Sequence, residues 1–96
     1  MNTEIKAVHF SLDSQTREHI EKKIDKIHNA ENMIVDLLFT LTKDKEFSAE
    51  ATVNFRWGLS AHLKENDFDL NAAIDKLMDK LNAKIAKEKE KVKEKR

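Results

Sequence analysis

The segment that most constrains this chain is its C-terminal stretch, Asp69–Arg96, which has the periodicity of one long amphipathic helix. Its apolar residues recur at steps of three and four, which places them along one side of a helix. They are Leu70, Ile74, Leu77, Met78, Leu81 and Ile85. Such a helix would be roughly 42 Å long at about 1.5 Å per residue, whereas a nine-residue strand spans only about 30 Å. A small sheet therefore covers only part of it, and we expect the last turns, about residues 88–96, to project beyond the core or to be disordered.

The charged residues of this helix separate into two groups. On a helical wheel the lysines fall beside the apolar side and form a basic flank, while most acidic residues fall on the far side. The basic flank comprises Lys76, Lys80, Lys84, Lys87 and Lys91, and the acidic residues opposite are Asp75, Asp79 and Glu90. The whole chain has a formal net charge of zero, but residues 80–96 carry +5 and residues 1–79 carry −5. A basic tail on an acidic body indicates a polyanionic partner, although the alternating run KEKEKVKEK is also typical of a solvated helix end.

The chain before this helix is predicted to form a strand, a helix and three more strands. Alternation of apolar and polar residues predicts the strands Glu4–Phe10, Met33–Thr42, Phe47–Arg56 and Leu59–Glu65. A first helix is predicted from Ser14 to about His28, with Asp13 as its N-cap and with Ile20, Ile24 and Ile27 on its buried side. Asp67 or Asp69 is expected to cap the last helix.

The predicted order is therefore β-α-β-β-β-α. The last three strands follow one another closely and should form an antiparallel meander, while the first strand reaches the second only by a crossover through a helix. Each strand has one apolar face, formed in the second strand by Val35, Leu37, Phe39 and Leu41, which predicts a sheet covered on one side. We expect an α+β fold, a two-layer sandwich with a four-stranded sheet and both helices on one face, in a single domain of residues 1–96.

Motifs for catalysis and metal binding are missing from the sequence. There is no cysteine, no two of the four histidines have the i,i+4 spacing of a helical metal site, and a single glycine rules out a Gly-rich phosphate loop. No apolar run approaches the roughly 20 residues of a membrane span, and the N-terminus does not read as a signal peptide. We therefore expect a cytoplasmic protein that is not an enzyme and that uses no metal, cofactor or small-molecule substrate.

Trp57 is a conspicuous aromatic residue in the predicted turn before the fourth strand. An aromatic side chain at a hairpin tip can stack on a nucleic-acid base. More often such a residue covers the end of a sheet, which is the interpretation that the sequence alone favours.

The last helix also resembles a known family. The run DLNAAIDKLMDKL, followed by the lysine-rich tail, is similar to the C-terminal helix of the ribosome hibernation promoting factors, also called ribosome-associated inhibitors. The segments AAID (residues 72–75) and DKL (residues 79–81) are the most specific part. His9-Phe10 in the first strand and Arg17-Glu18 in the first helix agree with the family, and the resemblance extends over essentially the whole chain.

This resemblance implies a function that the composition does not. Members bind the small ribosomal subunit in the channel for messenger and transfer RNA, and they inhibit translation by occlusion during stationary phase or stress. The basic faces of both helices contact ribosomal RNA. Transferred by position, or for Lys84 by its place on the basic flank, the expected RNA-binding residues are Lys22, Lys23, Lys26, Lys80, Lys84, Lys87, Lys89 and Lys91.

The sequence departs from the family at several positions of the last helix. Ala83, Ala86 and Glu88 stand where basic residues or histidine are frequent, and Asn71 stands where tyrosine is frequent. The tail is therefore less basic than is usual in the family. The chain ends at Arg96 and resembles the short form, which is expected to be a monomer when free and for which ribosome pairing either needs a separate ribosome modulation factor or does not occur.

Two other functions are compatible with the sequence. The order α-β-β-β-α from Ser14 onward is also that of a general double-stranded-RNA-binding module, although a Lys-Lys-x-Ala-Lys-type start of the final helix is missing. A protein-interaction module whose charges are only a solvated face is the other alternative.

Overall fold

The computed structural model describes residues 2–27 and 32–94, with side chains as far as Lys91. The elements follow the order β1 (Asn2–Val8), α1 (Ser14–Asp25), β2 (Ile34–Lys43), β3 (Phe47–Phe55), β4 (Ser60–Asp67) and α2 (Leu70–Glu94). The predicted order β-α-β-β-β-α is thereby confirmed.

The four strands form one sheet in the order β1-β2-β3-β4. β1 pairs in parallel with β2 through the crossover helix α1, whereas β2–β3 and β3–β4 pair antiparallel. The register pairs Phe39 with Ala51 and Ala51 with Leu63, so that apolar residues of neighbouring strands lie side by side on one face.

The core lies between that face and the two helices. Its buried residues come from α1 and the turn after it, from β2 and β3, and from α2, while Ile5, Ala61 and Leu63 of the outer strands pack partly buried against it. The buried core residues are Ile20, Ile24, Ile27, Ile34, Leu37, Phe39, Leu41, Ala49, Ala51, Val53, Phe55, Ala73, Ile74, Leu77, Met78, Leu81 and Ile85. Every apolar residue predicted to face inward from α1 is buried, and in α2 only Leu70 remains partly exposed. The two-layer arrangement with both helices on one face is confirmed.

The structure corrects one inward-facing residue of the second strand. Val35 is 44 % exposed, and Ile34 is buried instead. The register against β3 shifts between Ile34 and Asp36, which is the signature of a β-bulge. Because a bulge inserts one unpaired residue, it reverses the alternation on one side of it, and Val35 turns to the solvent.

The ends of β1 and α1 also differ from the predicted bounds. The sequence predicts that β1 extends to Phe10, but β1 ends at Val8, because His9 has a φ of 68° and turns the backbone out of the extended conformation. α1 begins as predicted, with the Asp13 carboxylate accepting the Thr16 N–H at 2.7 Å, and it ends at Asp25. His28, to which the helix was predicted to extend, lies outside the described residues, as do Lys95 and Arg96 of the tail.

Candidate nucleic-acid interface

The basic flank of α2 lies beside strand β4. Lys76 Nζ is 2.8 Å from the Asp67 carboxylate, and Lys80 Nζ is 2.7 Å from the Glu65 carboxylate and 3.3 Å from the carbonyl oxygen of Lys64. Two of the flank's five lysines are therefore already held by acidic side chains of the neighbouring strand. Lys80, one of the predicted RNA-binding residues, must give up or share this ion pair to contact a phosphate.

Asp67 stabilises the entrance of α2 as well as binding Lys76. Its carboxylate accepts the backbone N–H of Asp69 at 2.9 Å, just before the first helical residue. This backbone hydrogen bond and the Lys76 ammonium together hold the pKa of Asp67 below its ordinary value. The contact between the two side chains also raises the pKa of Lys76, because its ammonium donates a hydrogen bond to the Asp67 carboxylate. Lys76 therefore helps to hold the start of α2 against the end of β4.

The C-terminal half of the basic flank is organised around a buried carboxylate. Glu88 is only 3 % exposed, and its Oε2 lies 3.3 Å from Lys91 Nζ and 3.7 Å from Lys84 Nζ. Oε2 has no hydrogen bond of good geometry among the described residues. Lys84 is half-buried, whereas Lys87 and Lys91 are exposed. Within this group Glu88 lowers the local positive charge and holds two of the predicted contact lysines close to the helix.

The burial of Glu88 does not follow from the charge pattern of the tail, although the sequence contains a signal for it. Glu88 follows Ile85 by three residues and Leu81 by seven, so it continues the apolar side of α2. Charged residues are rarely buried unless they are paired, and for that reason the helical turn at residue 88 reads as solvated in the sequence.

The lysines of α1 form a second basic group. Lys22 and Lys26 are exposed, and Lys23 is half-buried where α1 meets α2. At this crossing Asp75 of α2 lies 3.0 Å from the His19 ring nitrogen Nε2 and 3.7 Å from Lys23 Nζ. Lys23 therefore has a structural partner, like Lys80, while Lys22 and Lys26 have no carboxylate within ion-pair distance among the described residues.

The two basic groups lie on different sides of α2. The basic flank faces β4 through Lys76 and Lys80, whereas Asp75, on the other side of the helix, faces α1. Lys89 is two positions from Lys87, about 200° around the helix, and is exposed on the side toward α1 rather than on the basic flank. The structure thus brings together Lys80, Lys84, Lys87 and Lys91 as one row, and Lys22, Lys23 and Lys26 as another.

Among the described residues no three metal-binding side chains come together. No described helix is long and apolar enough to cross a membrane.

Comparison with known proteins identifies the family. Over residues 3–93 the chain matches the family described as Sigma 54 modulation protein / S30EA ribosomal protein. The chain belongs to this family. The resemblance to the ribosome hibernation promoting factors is thereby confirmed, and family membership makes the chain a ribosome-associated protein. Both rows of lysines fall within the matched range.

Solved structures share the fold of this family member. A ribosomal subunit interface protein from Coxiella burnetii superposes with a TM-score of 0.84 at 22% identity, over 93% of this chain and 98% of that one. The N-terminal domain of Protein Y from Thermus thermophilus superposes with a TM-score of 0.77 at 24% identity, over 88% of this chain and 96% of that one. No curated protein matches the chain significantly.

Proposed function

We propose that this protein is a ribosome hibernation factor, a single ribosome-binding domain that inhibits translation in the cytoplasm by occupying the messenger- and transfer-RNA channel of the small subunit. Membership of the ribosome-associated family over residues 3–93 carries the proposal. The names of its structural neighbours, a ribosomal subunit interface protein and Protein Y, agree with it.

The proposed mechanism is occlusion. The row Lys80, Lys84, Lys87 and Lys91 extends over about 17 Å of one rigid helix and presents its ammonium groups to the phosphates of ribosomal RNA. Each neutralised phosphate releases counterions, which gives affinity without reading a base sequence. Lys22, Lys23, Lys26 and Lys89 provide the second contact. The protein needs no reacting group in this mechanism, because inhibition depends only on its occupancy of the channel.

We rank the proposed contact lysines by their exposure and by the carboxylates near them. Lys87 is exposed and has no carboxylate within ion-pair distance among the described side chains, while Lys84 and Lys91 share the single carboxylate of Glu88. Lys80 and Lys23 are each held by an acidic residue of another element. In the row on α2 we therefore assign the largest contribution to Lys87, an intermediate one to Lys84 and Lys91, and the smallest to Lys80. On α1, Lys22 and Lys26 rank above Lys23.

Cosedimentation with small ribosomal subunits over a salt series tests the proposal. The unmodified protein should bind at low salt, weaken steeply as salt rises, and compete with initiator transfer RNA. Replacing Lys84, Lys87 and Lys91 by glutamate should weaken binding and reduce the slope of log K against log salt by about one for each lost phosphate contact. Inhibition of translation should be lost in parallel.

A matched control has the same change of charge elsewhere. Lys6, Lys45 and Lys64 are exposed on the outer sheet face and in the β2–β3 turn. Their triple glutamate variant should bind subunits like the unmodified protein. Equal weakening by both variants would show that the effect comes from net charge alone, which would contradict the assignment of Lys84, Lys87 and Lys91 as contacts. Equal affinity for free duplex RNA and for subunits would instead favour the general double-stranded-RNA-binding module.

A further inference from the structure

Trp57 is held at the tip of the β3–β4 hairpin with much of its side chain exposed. Its indole ring stacks on the buried ring of Phe55, with centroids 5.1 Å apart and planes inclined by 20°. Despite this contact Trp57 is 45 % exposed. Because Phe55 covers one face of the indole, the exposed area lies on the opposite face and the edges of the ring. Trp57 thus covers the end of the sheet and also presents a flat aromatic surface to solvent.

The turn that carries Trp57 is fixed by backbone hydrogen bonds. Phe55 N–H donates to the Leu59 carbonyl at 2.8 Å, and Gly58 N–H donates to the Phe55 carbonyl at 3.1 Å. Gly58 has a φ of +89°, the left-handed conformation that closes a short hairpin loop. Arg56 N–H donates to the Met33 carbonyl at 2.9 Å, which ties the turn to the residue before β2. The aromatic surface is therefore preorganised.

The spacing of two ion pairs places the end of the basic flank level with the base of the turn that carries Trp57. Lys76 pairs with Asp67, and Lys80, one helical turn later, pairs with Glu65. About four residues of α2 therefore lie alongside two residues of β4. This agrees with the rises of about 1.5 Å per helical residue and about 3.3 Å per strand residue. Continuing at that spacing, Lys87 and Lys91 come level with the start of β4 and the turn before it. The Arg56 side chain, also exposed, adds another positive charge at the tip.

We propose that Trp57 is a stacking site for an unpaired RNA base, whose flanking phosphates are bound by Lys87, Lys91 and Arg56. The inference rests on the proposed RNA-binding function and adds a base contact to it. Single-stranded nucleic acid is commonly bound by this pairing of an aromatic platform with a row of cations. The fixed indole loses little conformational freedom on binding, and the guanidinium and ammonium groups supply the charge that complements the RNA backbone.

The intrinsic fluorescence of the protein reports this contact directly, because Trp57 is the only tryptophan and there is no tyrosine. The protein is titrated at low salt with a nine-nucleotide single-stranded RNA and, separately, with an abasic ribose-phosphate oligomer of the same length and charge. A stacked base should quench the emission, while the abasic oligomer should bind through the lysines without quenching. Equal quenching by both oligomers, or no quenching by RNA, overturns the proposal.

Variants at Trp57 separate stacking from charge. Trp57→Leu keeps an apolar cover on Phe55 and should weaken binding of the labelled RNA by about tenfold, while leaving the salt slope unchanged because no phosphate contact is lost. Trp57→Phe should retain most of the affinity. Phe68 provides the matched control: it is 78 % exposed, lies between Asp67 and Asp69 at the other end of β4, and its replacement by leucine should leave binding unchanged. A reduced salt slope for Trp57→Leu, or an equal loss for Phe68→Leu, overturns the stacking site.

Cosedimentation with small subunits keeps this inference distinct from the proposed function. If the unmodified protein binds subunits and Trp57→Leu binds them equally well, the proposed function stands and the stacking site is overturned. If the protein fails to bind subunits but RNA quenches Trp57 and the abasic oligomer does not, the stacking site stands and the ribosomal target is wrong.

Discussion

Replacing the buried Glu88 by leucine should stabilise the protein. Glu88 lies on the apolar side of α2 beyond Ile85, and its Oε2 is buried without a well-formed hydrogen bond among the described residues. A leucine at this position extends the apolar side by one more helical turn. The change in the free energy of unfolding has three parts. Leucine gains from burying apolar area, the cost of burying the Glu88 carboxylate is removed, and the two ion pairs are lost.

The magnitudes favour leucine. Full burial of a leucine side chain contributes about 1.5–3 kcal/mol. The two ion pairs have the i,i+3 and i,i+4 spacings of a helix, and the Lys91 side chain is largely exposed, so each pair contributes only about 0.3–0.5 kcal/mol. Removing a buried ionised group in favour of a well-packed apolar one is itself neutral to stabilising. Helix propensities of glutamate and leucine are nearly equal. We expect Glu88→Leu to raise the free energy of unfolding by about 1–2 kcal/mol.

Urea denaturation followed by far-UV circular dichroism at pH 7 measures this change. For a domain of this size, 1 kcal/mol corresponds to a rise in Tm of about 4–8 °C. Glu90→Leu is the matched control, because it removes the same charge from an exposed position two residues away. Its stability should change by no more than about 0.5 kcal/mol. A lower midpoint for Glu88→Leu, or an equal rise for Glu90→Leu, would refute the view that Glu88 is a costly buried carboxylate.

Three further perturbations test other parts of the fold. Because the Thr16 N–H hydrogen bond holds the pKa of the Asp13 carboxyl below its ordinary value, the stabilisation from this bond is present above that ordinary value and is lost as the pH falls through the lowered pKa. Tm measured from pH 7 to pH 2.5 should therefore depend less on pH for Asp13→Asn, while Asp13→Ala should lower Tm at pH 7. His9→Gly should raise the free energy of unfolding by about 1 kcal/mol, because glycine adopts a φ of 68° without the strain that a side chain imposes; an unchanged urea midpoint would contradict this. Leu81→Ala, at a fully buried position, should cost about 2–5 kcal/mol by the same assay, and a cost below about 1 kcal/mol would show that α2 is not packed as described.

The order of elements was predictable because each element has one clear periodicity. Phe47, Ala49, Ala51, Val53 and Phe55 alternate without interruption, and β3 begins at the predicted residue and ends one residue before the predicted end. The errors occur where a local conformation interrupts the pattern. Val35 is displaced by a bulge in β2 and His9 by a left-handed backbone, and neither feature leaves a mark in hydropathy because both residues are compatible with a strand.

The sequence predicts which side of α2 carries the lysines of the candidate site, but not how these lysines contact the rest of the protein. The helical wheel predicts one side of the helix for Lys80, Lys84, Lys87 and Lys91, and these residues share one side of α2 in the structure. Which of them is held by an acidic partner depends on side chains far away in sequence, such as Glu65 of β4 for Lys80. Such pairings depend on how the helix lies on the sheet, and no local pattern in α2 encodes that arrangement. Trp57 is a similar case, because its ring face is defined by its contact with Phe55 in the folded hairpin.

The positive charge of the lysines is distributed unevenly along α2. Acidic residues of the body hold the lysines nearest the start of α2, Lys76 and Lys80, so that the positive charge there is largely balanced. Farther along the helix the balance fails, because only Glu88 opposes the lysines from Lys84 to Lys91 among the described side chains of the basic flank. The net charges of +5 for residues 80–96 and −5 for the rest express the same asymmetry. In the field of a polyanion such a molecule is oriented with the end of α2 and the Trp57 hairpin foremost, before any specific contact forms. Under the proposed function, a protein with zero net charge would thereby bind RNA at one end and present its acidic body away from it.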